Sequence, residues 1–458
     1  MAIAPGIFRQ YDIRGVIDRD LTTEAAHALG GAYASYLADH EVGGAIAVSR
    51  DNRPSGDRLR DALVDGLTSA GVDVLDIGVV PTPLNYWALN RLPVVGGIQI
   101  TGSHNPPEYN GFKLSVGTAS LHGEEIQRLY ELTQKPGRAA SQRGSVREQR
   151  IIDAYVNDVM ERIGPLSRPI RAVYDCGNGA GSLVAPQLFA RLGLAPGSRG
   201  LFCESDGTFP NHHPDPTVPK NLEDLIHAVG EDQAEIGIAF DGDADRIGVV
   251  DGNGAIVWGD RILIVYARDV LKRTGAGQPI IFDVKCSQSL ADAVAKAGGK
   301  PIMWKTGHSL IKDKMRETHA PIAGEMSGHM FFSEGFYGHD DALYGAARLL
   351  RILADSGQTV AQALSDVPDL VATPEIRIDV PDELKFSLVD RAVQHFRAKH
   401  DVIDVDGVRV LFGDGWGLIR ASNTQPVIVA RYEATNAERL AAIRGEMEGW
   451  LRAQGVTV

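Results

Sequence analysis

The chain has 458 residues, 44% of them apolar and 23% charged, and a formal net charge of -13. That length exceeds one ordinary core, so three or four domains are expected. The acidic balance excludes a general nucleic-acid binder, whose surface must be basic, so an anionic small substrate must be met by arginines and lysines gathered locally.

The opening segment, MAIAPGIFRQYDIRG, has no basic stretch followed by an apolar one, and no apolar run is long enough to cross a bilayer. No signal peptide and no membrane partner are therefore expected, and the cytoplasm is the default location. AIAVSRDNRPSGDRLRDAL (45–63) then runs from an apolar strand through Asp51 and a turn into a helical pattern. VDVLDIG supplies a second strand, and GIQITGSHN (97–105) a third that stops at Thr101-Gly102-Ser103. The same plan returns from RAVYDCGNGAGSLVAPQLF (171–189) through RGLFCES to IGIAFDGDADR (236–246). It returns again from IIFDVKCSQSLADAV (280–294) through KPIMWKTG to APIAGEMSGHM (320–330). Each first strand ends in an aspartate, Asp51, Asp175 or Asp283, and each third strand ends in a polar loop of small residues. Strand–loop–helix units of this kind imply three similar α/β domains, with chemistry at the strand carboxyl ends.

Seams are expected at 134–148 and 365–375, after which hairpin-connected strands with two helices read as an α+β domain. The predicted domains are 1–147, 148–252, 253–367 and 368–458. Cys176, Cys203 and Cys286 show no CxxC spacing and an odd total. They read as reduced core thiols of a cytosolic protein, not as a disulfide framework or a zinc site.

DGDADR places Asp241, Asp243 and Asp245 at alternate positions in a glycine-opened turn. Three anions so close repel unless a cation neutralises them, and oxygen-only ligands point to a hard ion, Mg2+. An EF-hand is excluded, because Arg246 stands at its sixth position and Gly252 at its twelfth. Ser103 by itself is more readily a turn than a nucleophile. It lacks the GxSxG elbow, and its neighbour His104 is expected to diverge from it in an extended loop. Beside a metal loop, however, a serine can carry a phosphoryl group. RASNTQP (420–426) combines a guanidinium with hydroxyl and amide donors, a set suited to a phosphate dianion. GEMSGH (324–329) offers a carboxylate and a hydroxyl to vicinal sugar hydroxyls. Arg14, Lys113, Lys285 and His308 are uninformative singly.

In this order, with FRQYDIRG near the start, the loops resemble those of the α-D-phosphohexomutase family and its bacterial phosphomannomutase/phosphoglucomutase group. The resemblance runs nearly end to end. It implies three related α/β domains with mixed sheets plus a C-terminal α+β domain around a central cleft. It implies a phosphorylated Ser103, with Mg2+ held by Asp241, Asp243, Asp245 and that phosphate. The phosphoryl group would pass between Ser103 and the 1- or 6-position of a mannose or glucose phosphate, through a hexose 1,6-bisphosphate that also activates the enzyme. Glu325 and Ser327 map to the sugar hydroxyls, and Arg420, Ser422, Asn423 and Thr424 to the distal phosphate. Tyr11, Arg14, His104, Lys113, Arg246, Lys285, His308 and His329 map to the cleft lining, with His104 shaping the loop. The general acid/base lies among Lys113, His308, His329 and Arg14. Gln425 departs from the family's more usual glutamate.

Three alternatives stand beside this reading: a phosphoglucosamine mutase, a silent sugar-phosphate sensor and a metal-dependent phosphatase. Met326 stands where the amino-sugar enzyme typically has Gln, and the complete aspartate triplet speaks against a silent sensor. A monomer is expected, since one chain can form the whole cleft.

Overall fold

The computed structural model describes residues 3–138, 140–423 and 426–458. Its first sheet is ordered Ile13–Val16, Tyr109–Val116, Gly96–Ile100, Ile46–Arg50, Val74–Val79, Val146–Glu148. The strand Ile46–Arg50 pairs in parallel with both Val74–Val79 and Gly96–Ile100, and the latter pairs antiparallel with Tyr109–Val116. Two further sheets repeat this strand for strand. Ala172–Asp175 lies between Arg199–Leu201 and Ile236–Phe240, and Ile236–Phe240 turns back antiparallel into Ile247–Asp251. Pro279–Asp283 lies between Lys300–Trp304 and Ile322–Gly324, and Ile322–Gly324 turns back into Met330–Phe332. Gly96–Ile100 and Ile236–Phe240 are buried along their whole length. Layers cover both faces, so these strands read as unbroken apolar runs and not as alternating ones.

The seam region is not all linker. Val146–Glu148 closes the edge of the first sheet, and the helix Ile152–Ile163 then sends Tyr155, Val156 and Val159 into a large core. That core runs without a break through residues of all three α/β units, including Trp87, Phe240 and Phe332. The C-terminal unit is an antiparallel sheet ordered Val371–Ala372, Val427–Ala434, Gly415–Ala421, Val408–Leu411, Asp401–Ile403, with Ile376–Asp379 also on Val427–Ala434. Helices Asp382–Arg397 and Ala437–Ala453 bury Leu388, Phe396, Ile443 and Met447 against it in a separate core. The α+β expectation is met. Arg409 ties this unit to the third: stacked over Trp416 at 3.6 Å, it donates to the carbonyls of Val284 (2.7 Å) and Cys286 (2.6 Å). No helix among the described residues is long and apolar enough to cross a membrane.

The helices Thr23–Asp39 and Gly56–Ser69 approach so closely that a Cβ at Gly66 would lie 2.1 Å from the carbonyl oxygen of His27. Alanine there gains about 1 kcal/mol of helix propensity but overpacks a backbone contact at about 1–3 kcal/mol. A carbonyl on a packed helix has no rotamer with which to yield, so the clash wins. Gly66→Ala is expected to destabilise the chain by about 1–2 kcal/mol in urea unfolding. An unchanged or raised midpoint would show that the helices can part at no cost.

Candidate active site

The strand Gly96–Ile100 ends in a loop that is anchored before it reaches Ser103. Asp51, at the end of the neighbouring strand, accepts through Oδ2 from Thr101 Oγ1 (2.8 Å) and the Gly102 amide (3.2 Å). Arg53, buried and also paired with Asp51, donates to four carbonyls of the loop: Ser103 (2.7 Å), Asn105 (2.6 Å), Pro106 (2.6 Å) and Tyr109 (3.0 Å). A Cβ at Gly102 would strike that guanidinium at 2.6 Å. The buried Ser103 adopts φ +48°, left-handed backbone that a serine seldom occupies. This corrects the expectation that His104 diverges from it. The loop is not extended at Ser103, and the reversed turn brings His104 Nδ1 to 3.1 Å from Ser103 Oγ. Burial, then the positive charges of Arg246 and Arg14, hold the imidazole pKa well below its usual range, so His104 is neutral and can donate a hydrogen bond to the hydroxyl.

Ser103 Oγ donates to Asp241 Oδ2 at 3.0 Å. Asp241 stands at the end of the equivalent strand of the second unit, Ile236–Phe240, and is fully buried with Asp243 and Asp245. One oxygen from each of the three lies within 4.8 Å of the others, and Oδ1 of Asp243 and of Asp245 are buried without a hydrogen-bond partner. Lys113 from the first unit pairs with Asp243 at 2.9 Å and with Asp245, and Thr82 Oγ1 donates to Asp243 at 2.5 Å. Burial, then the charges of Asp245 and Asp243, push the Asp241 carboxyl well above its usual range. Asp243 also suffers burial, yet Lys113 and Thr82 hold it well below. Lys113 is held well above the usual range, because its carboxylate partners outweigh its own burial. Hard oxygen donors with two orphaned carboxylate oxygens and a surplus of negative charge fit Mg2+.

Arg246, closing the aspartate loop, reaches the third unit. Its Nε donates to His329 Nε2 at 2.7 Å, and His329 Nδ1 lies 3.1 Å from Asp340 Oδ2. This geometry assigns the Nδ1–H tautomer. Asp340 also takes Lys312 at 3.2 Å, and the His308 ring stacks on His329 at 5.8 Å. Arg14 donates to Asn105 Oδ1 at 3.0 Å and to Asp12 at 2.5 Å, which places it at the Ser103 loop.

A second cluster gathers around the loop 324–329. Glu325 Oε1 accepts the Gly307 amide at 2.6 Å, Asp283 Oδ1 accepts the Met326 amide at 3.0 Å, and Ser327 is partly exposed. Lys285 Nζ pairs with Glu375 at 3.2 Å. Arg420 Nε donates to Asp406 Oδ2 at 2.9 Å, and the same oxygen accepts the Thr306 amide at 3.1 Å. Tyr11 OH donates to the Thr306 carbonyl and accepts from Asn423 Nδ2, both at 2.8 Å. The N-terminal residues thus touch the third and fourth units at once. Ser422 is buried beside Asn423. Thr424, assigned to the same loop, and Gln425 lie outside the described residues.

Comparison with known proteins agrees along the whole chain. Family models described as phosphoglucomutase/phosphomannomutase alpha/beta/alpha domains I, II and III match residues 5–139, 153–254 and 258–371, and the family's C-terminal domain matches 375–449. The chain belongs to the phosphoglucomutase/phosphomannomutase family. It is 46% identical over 449 residues to the phosphomannomutase/phosphoglucomutase of Pseudomonas aeruginosa, covering 98% of this chain and 96% of that one. It is 45% identical over 451 residues to the phosphoglucomutase of Neisseria gonorrhoeae, covering 98% and 97%. A crystal structure of a phosphoglucomutase/phosphomannomutase family protein from Burkholderia thailandensis superposes with a TM-score of 0.91 at 44% identity, covering 98% of each chain.

Several groups in this family site escape sequence reasoning: Arg53, Thr82, Lys312, Asp340, Glu375 and Asp406. Each acts from a different element than the loop it supports, and no local motif marks it. Only Asp51 and Asp283 left a signal, as strand-end aspartates repeated in register. Arg53 yields a test. Arg53→Ala removes four donors from the Ser103 loop, and kcat is expected to fall by roughly 100-fold with KM nearly unchanged. Arg53→Lys, which keeps the charge, is expected to recover part of that loss. Equal losses in kcat and in sugar-phosphate affinity would reject a positioning role.

Proposed function

We propose that this member of the family catalyses reversible transfer of a phosphoryl group between the 1- and 6-positions of a hexose phosphate, of mannose, glucose or both. It does so through phosphorylated Ser103 and a hexose 1,6-bisphosphate, which also primes the enzyme. The observation that carries this reading is the 3.0 Å hydrogen bond from Ser103 Oγ to Asp241, which seats a nucleophile of one unit on the carboxylate triplet of the next. The units assigned to 1–147, 148–252, 253–367 and 368–458 then supply nucleophile, metal loop, sugar loop and phosphate grip in turn.

Asp241, Asp243 and Asp245, with the phosphate on Ser103, would hold Mg2+, which would supply counter-charge to the phosphoryl group. The chain's own residues do the rest. Glu325 and Ser327 take the sugar hydroxyls, while Arg420, Ser422, Asn423 and Thr424, with Lys285 and Tyr11, hold the non-reacting phosphate. Arg14 fixes Asn105 and so the loop, and His104 orients the serine oxygen. In the first half-reaction a sugar hydroxyl attacks the phosphorus on Ser103, the phosphorus–Oγ bond breaks, and the sugar hydroxyl gives up its proton as Oγ takes one; on return Ser103 Oγ attacks the other phosphorus, the phosphorus–sugar oxygen bond breaks, and the protons move back. Of the four acid/base candidates, His329 has one nitrogen committed to Asp340 and the other accepting from Arg246 beside Asp245, 3.7 Å away. Once Arg246 swings onto substrate, that lone pair is the base. Lys113, kept as an ammonium by Asp243 and Asp245, serves as counter-charge. Burial, then Lys312, keeps His308 neutral beside His329. One chain provides every loop, so we read the enzyme as a cytoplasmic monomer.

Ser103→Ala is expected to abolish turnover while leaving sugar-phosphate binding largely intact. Intact-mass measurement should show one phosphate on part of the native protein and none on the variant. Near-normal turnover of the variant would end the phosphoserine reading. Arg420→Ala should chiefly raise KM, because it loosens the non-reacting phosphate, and an unchanged KM for hexose 1-phosphate would reject that role. A coupled assay with mannose, glucose and glucosamine 1-phosphates ranks the substrates, and exclusive use of the amino sugar would overturn the stated substrate class.

A further inference from the structure

Two of the three cysteines meet. Strand Ala172–Asp175 runs parallel to Arg199–Leu201, and the hydrogen bonding continues past both strand ends. The Cys176 amide donates to the Leu201 carbonyl at 3.1 Å, and the Asn178 amide to Phe202 at 2.9 Å. This register sets Cys176 Sγ 3.1 Å from Cys203 Sγ. A Cβ at Gly200 would lie 2.5 Å from Cys203 Sγ, so glycine at that position leaves the room in which the thiol folds inward. All three cysteines are free thiols, as the sequence suggested, and Cys286 is buried and donates to Asp283 at 3.0 Å. The meeting of Cys176 and Cys203 was not legible in the sequence, because residues distant in the chain are neighbours across two parallel segments.

We propose that Cys176 and Cys203 form a reversible dithiol–disulfide site that is oxidised by small-molecule disulfides and slows phosphoryl transfer when closed. Cys203 is partly exposed and Cys176 buried, so the first attack belongs to Cys203. Hydrogen bonding from the Cys176 thiol lowers the Cys203 pKa, and the same bond raises that of Cys176. Cys203 thiolate attacks one sulfur of the small disulfide, forms a mixed disulfide and expels one thiolate. Cys176 then gives up its proton, attacks the Cys203 sulfur and expels the second thiolate. The protein loses two electrons and two protons, and the oxidant leaves as two thiols.

The effect on rate follows from what the turn touches. Closing 3.1 Å to a bond of about 2.05 Å moves the sulfurs by about 1 Å. Gly177 and Asn178, at φ +51° and +57°, carry Cys176 directly into Gly179, where a Cβ would lie 2.6 Å from the Gly242 carbonyl oxygen. A Cβ at Gly242 would in turn lie 2.4 Å from the Ser103 carbonyl oxygen, and the Asn178 carbonyl accepts from Asn52 at 2.6 Å, next to Arg53. With no slack in these contacts, displacement at Cys176 reaches both the metal loop and the nucleophile loop.

The test treats reduced full-length protein with oxidised glutathione. Expected are the loss of two hydrogens by intact mass, a Cys176–Cys203 linked peptide, and a roughly tenfold fall in kcat that dithiothreitol reverses. Cys203→Ser should show neither the link nor the fall. A mixed disulfide that never resolves to the link, no reaction at all, or a link with unchanged kcat would each overturn the proposal. Linkage is read by mass and the rate as a ratio to untreated enzyme. Failure here is therefore distinct from failure of the mutase reading, which would appear as no turnover before treatment.

Discussion

Lys113 reaches out of the first unit to pair with Asp243 and Asp245 of the second, in a place almost closed to water. One ammonium among three buried carboxylates leaves an uncompensated surplus of negative charge, and burial multiplies the penalty. A proton on one carboxylate can relieve that surplus, and Asp241 is the one whose affinity for a proton is driven up. A dication relieves it better, and it leaves Asp241 free as an anion to face the oxygen of Ser103. The same pair fixes two units against each other. Because the lysine and the serine sit on adjoining segments of one sheet, neutralising the aspartates and presenting the nucleophile are a single structural requirement.

The repeated plan explains how three different chemistries share one fold. In each α/β unit the third strand pairs with the first and ends in the functional loop, and the first strand ends in an aspartate. In the first unit that aspartate holds Thr101 and Gly102, and in the third it holds the Met326 amide and Thr306 Oγ1. In the second, Asp175 binds the Gly177 amide and His212, and the loop is steadied instead by its own Asp241, which accepts the amides of Asp245 and Arg246. A carboxylate accepting backbone amides is a strong, directional anchor. In the loop that gathers the three aspartates, the anchor has moved inside the loop.

The architecture was legible because strand–aspartate–turn–helix periodicity is local, and four separated motifs in order carry far more than any one. The DGDADR loop could be read from charge repulsion alone. Geometry that depends on a single backbone torsion could not. The contact between His104 and Ser103 exists because Ser103 is left-handed, and that torsion is imposed by Arg53, Asp51 and Gly102 acting together. Nor does any local pattern reveal that Tyr11 meets Asn423, or that Cys176 faces Cys203. These contacts follow from parallel pairing and from the return of the chain's far end, which a window of neighbouring residues does not contain.

Packing divides the molecule unequally, and the division suits the reaction. The three α/β units share one continuous apolar core, whereas the C-terminal unit has its own and meets the third through a small cluster of Val284, Trp416 and Leu418. Polar ties join them as well, among them Arg409 with the Val284 and Cys286 carbonyls, Tyr11 with Asn423, the Thr306 amide with Asp406, and Lys285 with Glu375. Polar contacts exchange for water at small net cost, while splitting a shared core exposes apolar surface at about 25 cal/mol per Å². Opening is therefore cheapest at the joint between the third and C-terminal units. The proposed intermediate, which must present first one end and then the other, calls for rigid Ser103 and aspartate loops and an anchor that can let go.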